Sequence, residues 1–149
     1  MSEGEPQTAS VILCLRCDTA NRVPAARLAE QPHCGTCKHP LFEGRAVRLS
    51  EPRARRHIAR SGIPVLVEFW AAWNTRCWWM ALDIAQAARR IEPGMRLVKV
   101  SVEDAPKLAK ELGIVAVPTL VLFRDGQEVK RSTESMKAPQ ILTWAGAED

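Results

Sequence analysis

The spacing of apolar residues predicts a strand followed directly by a long helix in the middle of the chain. Val65–Trp70 is apolar except for Glu68, which is typical of a strand buried on both faces. After Trp73 the apolar positions change to helical spacing. Asn74 stands between the strand and the helix, where a capping residue is expected. The helix face that this spacing predicts to be buried carries Cys77, Met80, Ala81, Ile84, Ala88 and Ile91.

Similar patterns predict the other elements of the larger part of the chain. Ser50 is suited to cap a helix, and Asp125-Gly126 predicts a hairpin turn between two strands. Strands are expected at 46–49, 97–102, 119–123 and 127–131, and helices at 50–59, 105–112 and 138–144. The predicted order from residue 46 onward is therefore β-α-β-α-β-α-β-β-α.

Four cysteines near the N-terminus have the spacing of a metal site. Cys14-x-x-Cys17 and Cys34-x-x-Cys37 are separated by 16 residues. This spacing lets each pair bind one ion from a tight turn, and two such turns complete the tetrahedron that zinc prefers. Two disulfides or a redox pair are the alternatives. We predict bound zinc as the cofactor of this segment.

Length and composition indicate a globular protein of one domain, or of one domain with a small appendage. The chain has 149 residues, of which 46% are hydrophobic and 26% are charged. We expect a disordered tail at 1–9, a zinc ribbon at 10–44 and a larger domain at 45–149. No apolar run is long enough to span a membrane, and the polar first ten residues lack the features of a signal peptide. These features predict a cytoplasmic protein with no membrane partner.

The net charge of +4 is concentrated in one segment. Its arginines are Arg45, Arg48, Arg53, Arg55, Arg56 and Arg60. One interpretation is a basic linker that binds nucleic acid. A solvated helix face is favoured over it, because no aromatic residue is interleaved to stack on bases.

Two motifs together resemble a known family. Phe69-Trp70-Ala71-Ala72-Trp73, followed after three residues by Cys77, resembles the active-site segment of a thioredoxin. The cysteine pairs, with Asn21-Arg22-Val23-Pro24 between them, resemble the zinc-binding second thioredoxin of many bacteria. The resemblance implies an α/β thioredoxin fold, in which helices flank a mixed central sheet, behind an N-terminal zinc ribbon.

The same resemblance implies roles for the residues of the site. Cys77 matches the second, less exposed cysteine of the family, and Glu68 stands where the family has a buried aspartate that manages the proton of that cysteine. Lys99 matches a lysine that pairs with this acid. Trp73 and Val117-Pro118 match the surface that contacts protein clients, with a cis peptide bond before the proline.

The resemblance fails at the attacking cysteine, where this chain has Asn74. Asparagine cannot attack a disulfide, so the first hypothesis is a thioredoxin-like module that binds protein clients without two-cysteine exchange. On this hypothesis, interaction with glutathione or a thioredoxin reductase is weak or absent. The second hypothesis is an exchanger that uses Cys77 with an external thiol. The third is a zinc-ribbon adaptor that binds nucleic acid through the basic linker. Trp79 is expected to be exposed, and its ring is a candidate partner contact.

Overall fold

The computed structural model describes residues 9–147. Strands β1 (Ala9–Leu13) and β2 (Ala20–Pro24) form an antiparallel hairpin, and a short 3-10 helix at Ala25–Arg27 follows. Most of the predicted disordered tail lies outside the described residues, but Ala9, which was assigned to that tail, is the first residue of β1. A small core fills the ribbon, formed by Ile12, Cys14, Val23, Cys34, Leu41 and Ile63.

A five-stranded mixed sheet forms the centre of the larger domain. Its strands are β3 (Val47–Arg48), β4 (Val65–Trp70), β5 (Arg96–Ser101), β6 (Thr119–Arg124) and β7 (Gln127–Ser132), in the spatial order β3-β5-β4-β6-β7. Strand β5 pairs in parallel with β3 and β4, whereas β6 is antiparallel to β4 and β7. The apolar run predicted to be buried on both faces is therefore the middle strand of the sheet.

Helices cover both faces of this sheet. They are α1 (Glu51–Arg60), α2 (Thr75–Ile91), α3 (Pro106–Glu111) and α4 (Ala138–Ala145). Alternation along β4 directs Leu66 and Glu68 toward α2 and α4, and Val67 and Phe69 toward α1 and α3. The predicted order of elements is confirmed, with ends that differ by one or two residues. No helix within residues 9–147 is long and apolar enough to cross a membrane.

The buried face of α2 differs from the prediction at one position. Ala81 is exposed, and Ala87 is buried in its place. The contact face is centred on the line between Met80 and Ile84, so Ala81 falls at its edge.

The ribbon is fastened to the sheet domain by buried polar contacts. Arg96 is 1% exposed and donates from Nη1 to the carbonyl oxygen of Leu13 at 2.6 Å and from Nη2 to that of Leu41. The backbone N–H of Gly62 donates to the carbonyl oxygen of Val11 at 2.7 Å. These contacts fix the position of the ribbon on the larger domain.

The arginine-rich segment is largely engaged with this protein's own acceptors. Five of its six arginines bond to acceptors within the chain: Arg45 to Glu43, Arg48 to Asp104, Arg53 and Arg56 to Asp18, and Arg55 to Glu51 and Glu111. Asp18 also accepts from buried His57 at 2.8 Å. The segment therefore connects α1 to the ribbon and to α3.

Candidate functional site

The four ribbon cysteines converge on one point. Their Sγ atoms all lie within 4.8 Å of one another, and Cys14–Cys37 and Cys17–Cys34 are each separated by 3.6 Å. Zn–S bonds of about 2.3 Å in a tetrahedron place sulfurs about 3.8 Å apart, whereas a disulfide needs about 2.05 Å. All four cysteines are free. The donor set therefore fits one tetrahedral metal ion rather than two disulfides.

Backbone geometry around the cysteines supports thiolate ligands. The N–H groups of Arg16 and Thr36 each lie 3.4 Å from a ligand sulfur, on Cys14 and Cys34 respectively. Asp18 and Lys38 close the two turns with left-handed φ values of 63° and 71°. Donors aimed at sulfur favour its ionised form.

Asn21 is a supporting residue that the sequence reasoning did not assign. Its Oδ1 accepts from the N–H of Gly35 at 2.9 Å, and its Nδ2 lies 3.6 Å from the sulfur of Cys34. It thereby ties β2 to the second cysteine turn. The available signal was its place at the start of the Asn21-Arg22-Val23-Pro24 motif.

The second candidate region lies where β4 meets α2. Asn74 caps α2, because its Oδ1 accepts from the backbone N–H of Cys77 at 3.1 Å. Its side-chain oxygen is therefore used by the helix in the way the sequence predicts. The side chain at this position is an amide and carries no nucleophilic sulfur.

Cys77 lies below this cap and is 4% exposed. Its side chain packs with Ala71 and Val117. Burial is the main cause of a raised pKa for the Cys77 thiol, and the nearby Glu68 carboxylate raises it further, while Lys99 acts in the opposite direction. The protein environment therefore disfavours the thiolate that disulfide exchange requires.

Glu68 shares this buried environment. It is 1% exposed, and burial raises the pKa of its carboxyl to about 7, while the charge of Lys99 lowers it. Within the described residues Oε1 has no hydrogen-bond partner. The Nζ of Lys99 lies 4.7 Å from the centre of the Trp70 ring. Of the predicted pair, Lys99 therefore acts on the Glu68 carboxyl through its charge and not through a hydrogen bond to Oε1.

Trp73 borders an open groove of about 370 Å³. The groove is lined by Trp73, Asn74, Val102, Ile114, Val115, Ala116 and Val117. Trp73 is 65% exposed and Val115 is 94% exposed. Pro118 is buried next to this groove, and the Val117–Pro118 peptide bond is cis. The structure therefore brings Trp73 and Val117 to one largely apolar surface, with Pro118 adjoining it from the interior.

Two further tryptophans follow on α2. Trp78 donates from Nε1 to the carbonyl oxygen of Ala72 at 2.7 Å, which holds the loop before the helix. Trp79 is 80% exposed, as its position on the polar face of the helix predicts, and Leu82 is 68% exposed.

Comparison with known families and proteins identifies both parts of the chain. Residues 45–147 match the thioredoxin family, and residues 13–39 match the zinc-ribbon family described as thioredoxin 2, N-terminal. Thioredoxin C-3 of Corynebacterium nephridii is 33% identical over 134 residues, which cover 90% of this chain and 92% of that protein. Thioredoxin 1 of Synechococcus elongatus is 34% identical over 84 residues, which cover 56% of this chain and 78% of that protein.

Solved structures share the same fold. Chloroplastic thioredoxin z, described as having a type-specific target recognition, superposes with a TM-score of 0.62 at 25% identity, covering 68% of this chain and 92% of that one. A mutant thioredoxin of Halobacterium salinarum gives a TM-score of 0.62 at 21% identity, covering 70% of this chain and 93% of that one.

Proposed function

Because this chain belongs to the thioredoxin family of redox proteins, we propose that it binds protein clients through the Trp73 groove and has lost two-cysteine disulfide reduction. Thiol–disulfide exchange begins with attack of a thiolate on a client disulfide and ends with release by a second thiol. Here the attacking position is Asn74, whose side-chain oxygen caps α2. This replacement is the single observation that carries the proposal.

The remaining thiol is poorly placed to substitute for the missing one. Cys77 is 4% exposed, and burial raises its pKa. A client sulfur would have to reach it past the capped helix start. We therefore favour client binding as the function of this chain over thiol exchange between Cys77 and an external thiol.

The Trp73 groove has the character of a docking surface. An exposed indole and an almost fully exposed Val115 border an apolar depression beside the cis-proline loop. Exposed apolar groups that lie together on a surface are typical of protein contacts. A thioredoxin reductase acts on a disulfide between the two motif positions, which Asn74 and Cys77 cannot form, so we expect no productive contact with it.

Zinc is the ion proposed for the four ribbon cysteines. Four thiolates in a tetrahedral arrangement suit zinc, and a closed site of this kind stabilises the fold without leaving a position for substrate. Cysteines kept reduced for this purpose require a reducing compartment, which supports the cytoplasm as the location. Nucleic-acid binding is not proposed, because five of the six arginines of the basic segment are engaged by the protein's own acceptors.

The test measures disulfide reduction and client binding separately. With a dithiol donor, the wild-type protein and Cys77→Ser should both reduce insulin at the background rate. Both should bind the insulin B chain whose thiols have been blocked as carboxamides, measured by calorimetry. Val115→Glu should weaken this binding about tenfold, or about 1.4 kcal/mol. Val129→Glu, at an exposed position on the edge strand β7, is the matched control.

Two results would overturn the proposal. Insulin reduction by the wild-type protein that disappears in Cys77→Ser would establish the one-cysteine exchanger. Absence of B-chain binding, or equal weakening by both valine substitutions, would remove the groove as the client surface.

A further inference from the structure

A second recess lies between the first turns of α2 and the segment that joins β7 to α4. It has a volume of about 250 Å³ and shares no lining residue with the Trp73 groove. The residues that matter for its chemistry are Arg76, Trp79, Met80, Asp83, Met136 and Lys137. The recess is therefore a separate surface from the Trp73 groove, and it lies beside the first turns of α2.

The apolar part of the recess is formed by an indole and two thioethers. Trp79 is 80% exposed, Met80 is buried at the base, and Met136 is half-buried. Methionine side chains adapt to irregular apolar groups, and an exposed tryptophan offers a large rigid contact. These side chains suit an aliphatic or aromatic side chain of a partner.

The polar part carries two cations without a partner carboxylate among the residues that the structure describes. Arg76 donates from Nη2 to the carbonyl oxygen of Thr133 at 3.1 Å and lies 3.4 Å from the hydroxyl of Ser135, so the rest of its guanidinium is available. Lys137 is exposed on the same rim. Asp83 also lines the recess, but its Oδ1 accepts from the backbone N–H of Ala138 at 2.9 Å. One carboxylate oxygen of Asp83 is thus bonded to α4, and the two cations outnumber this single negative charge among the residues that line the recess.

We propose that this recess binds an acidic protein segment, in which a carboxylate pairs with Arg76 and Lys137 while a neighbouring apolar side chain packs on Trp79 and Met136. Charge-assisted hydrogen bonds from an arginine fork suit carboxylates. A protein segment fits better than a nucleic acid, because the cations border a recess lined by thioethers rather than a row of stacking rings. The proposal does not depend on the client function of the Trp73 groove.

The test uses the full chain labelled with 5-fluorotryptophan. The five tryptophans give separate fluorine signals, which single substitutions to phenylalanine assign. The probe is acetyl-Glu-Leu-Glu-Phe-amide, and its matched control is acetyl-Gln-Leu-Gln-Phe-amide. The acidic peptide should shift the Trp79 signal saturably and bind about tenfold more tightly than the neutral one, because only its carboxylates can form charge-assisted hydrogen bonds with the two cations.

Charge-reversal variants identify the site. Lys137→Glu should weaken the acidic peptide about tenfold. Arg124→Glu makes the same change in net charge at an exposed position at the far end of β6, and it should have little effect. Equal binding of the two peptides, or equal effects of the two variants, would overturn the proposal. So would a Trp79 shift produced by single-stranded oligothymidylate but not by the acidic peptide. A shift confined to Trp73 would also overturn it, while supporting the client groove.

Discussion

Replacement of Glu68 by glutamine should remove a loss of stability that the wild-type protein undergoes as the pH rises toward neutrality. Glu68 is 1% exposed on the middle strand, and Oε1 has no hydrogen-bond partner in the described part of the chain. Burial raises the pKa of this carboxyl from its usual 4.5 to about 7, while Lys99 lowers it. The group is therefore neutral in the folded protein at pH values where it is ionised in the unfolded chain.

The sign and size of the effect follow from the proton count. The folded state holds a proton that the unfolded chain has released, so this contribution to stability is fully present below pH 4.5 and is lost as the pH rises through about 7. The interval is about 2.5 pH units, and each unit corresponds to about 1.4 kcal/mol. The wild-type protein should therefore lose on the order of 3 kcal/mol across this interval.

Urea unfolding at a series of pH values measures this contribution. Glu68→Gln is neutral throughout, so its free energy of unfolding should not show this decline. The buried amide of the variant lowers the free energy of unfolding by about 1–3 kcal/mol at every pH. The comparison therefore uses the slope of the free energy of unfolding against pH and not its absolute value. Glu111→Gln is the control, because the pH dependence of stability that Glu111 produces has the opposite sign. Arg55 lowers the pKa of this exposed carboxyl, so the contribution of Glu111 to stability is lost as the pH falls. Parallel curves for wild type and Glu68→Gln between pH 4.5 and 7 would refute the reasoning.

Three further predictions concern the helix cap, the metal and the ribbon interface. Asn74→Cys should restore part of the insulin-reducing activity at a cost of about 1 kcal/mol in stability, whereas Asn74→Ser, which keeps a capping side chain, should restore none. Chelation under reducing conditions should broaden the amide NMR signals of β1 and β2 while those of α2 persist, because the ion proposed for the four cysteines would hold the ribbon together; an unchanged spectrum after chelation would contradict this. Gly62→Ala should destabilise the protein by about 2 kcal/mol in urea unfolding, because the added Cβ would lie 2.9 Å from the carbonyl oxygen of Val11 and still closer to its nitrogen. Gly94→Ala, which has no atom within 4 Å of the added carbon, should be nearly neutral.

Patterns among residues close in sequence were sufficient to predict the order of the elements and much of the candidate site. The apolar run of β4, the Asn74 cap and the exposed ring of Trp79 each depend on residues close in sequence, so periodicity and capping rules were sufficient to predict them. The convergence of the ribbon cysteines follows from their spacing in the same way.

Features set by contacts between distant segments could not be predicted in this way. Arg96 is charged and would ordinarily be placed at the surface, yet it is buried because it bonds to the carbonyl groups of Leu13 and Leu41, which are 83 and 55 residues away along the chain. The role of Asp18 could not be predicted from the sequence either. Asp18 joins the first cysteine turn to α1 through Arg53 and His57, and these contacts form only when the ribbon packs on the larger domain. Ala81 was misplaced because helical spacing alone does not locate the edge of a contact face.

The rate of Cys77 alkylation against pH most directly tests the claim that the fold disfavours the Cys77 thiolate and with it disulfide exchange. Mass spectrometry distinguishes Cys77 from the four cysteines of the ribbon, and the same chain unfolded in urea supplies the reference. Because burial raises the pKa of this thiol, Cys77 in the folded protein should react more slowly than in the unfolded chain at neutral pH, with its midpoint at higher pH. A folded-state rate that exceeds the unfolded rate, with a midpoint at lower pH, would contradict the account and identify Cys77 as an active nucleophile.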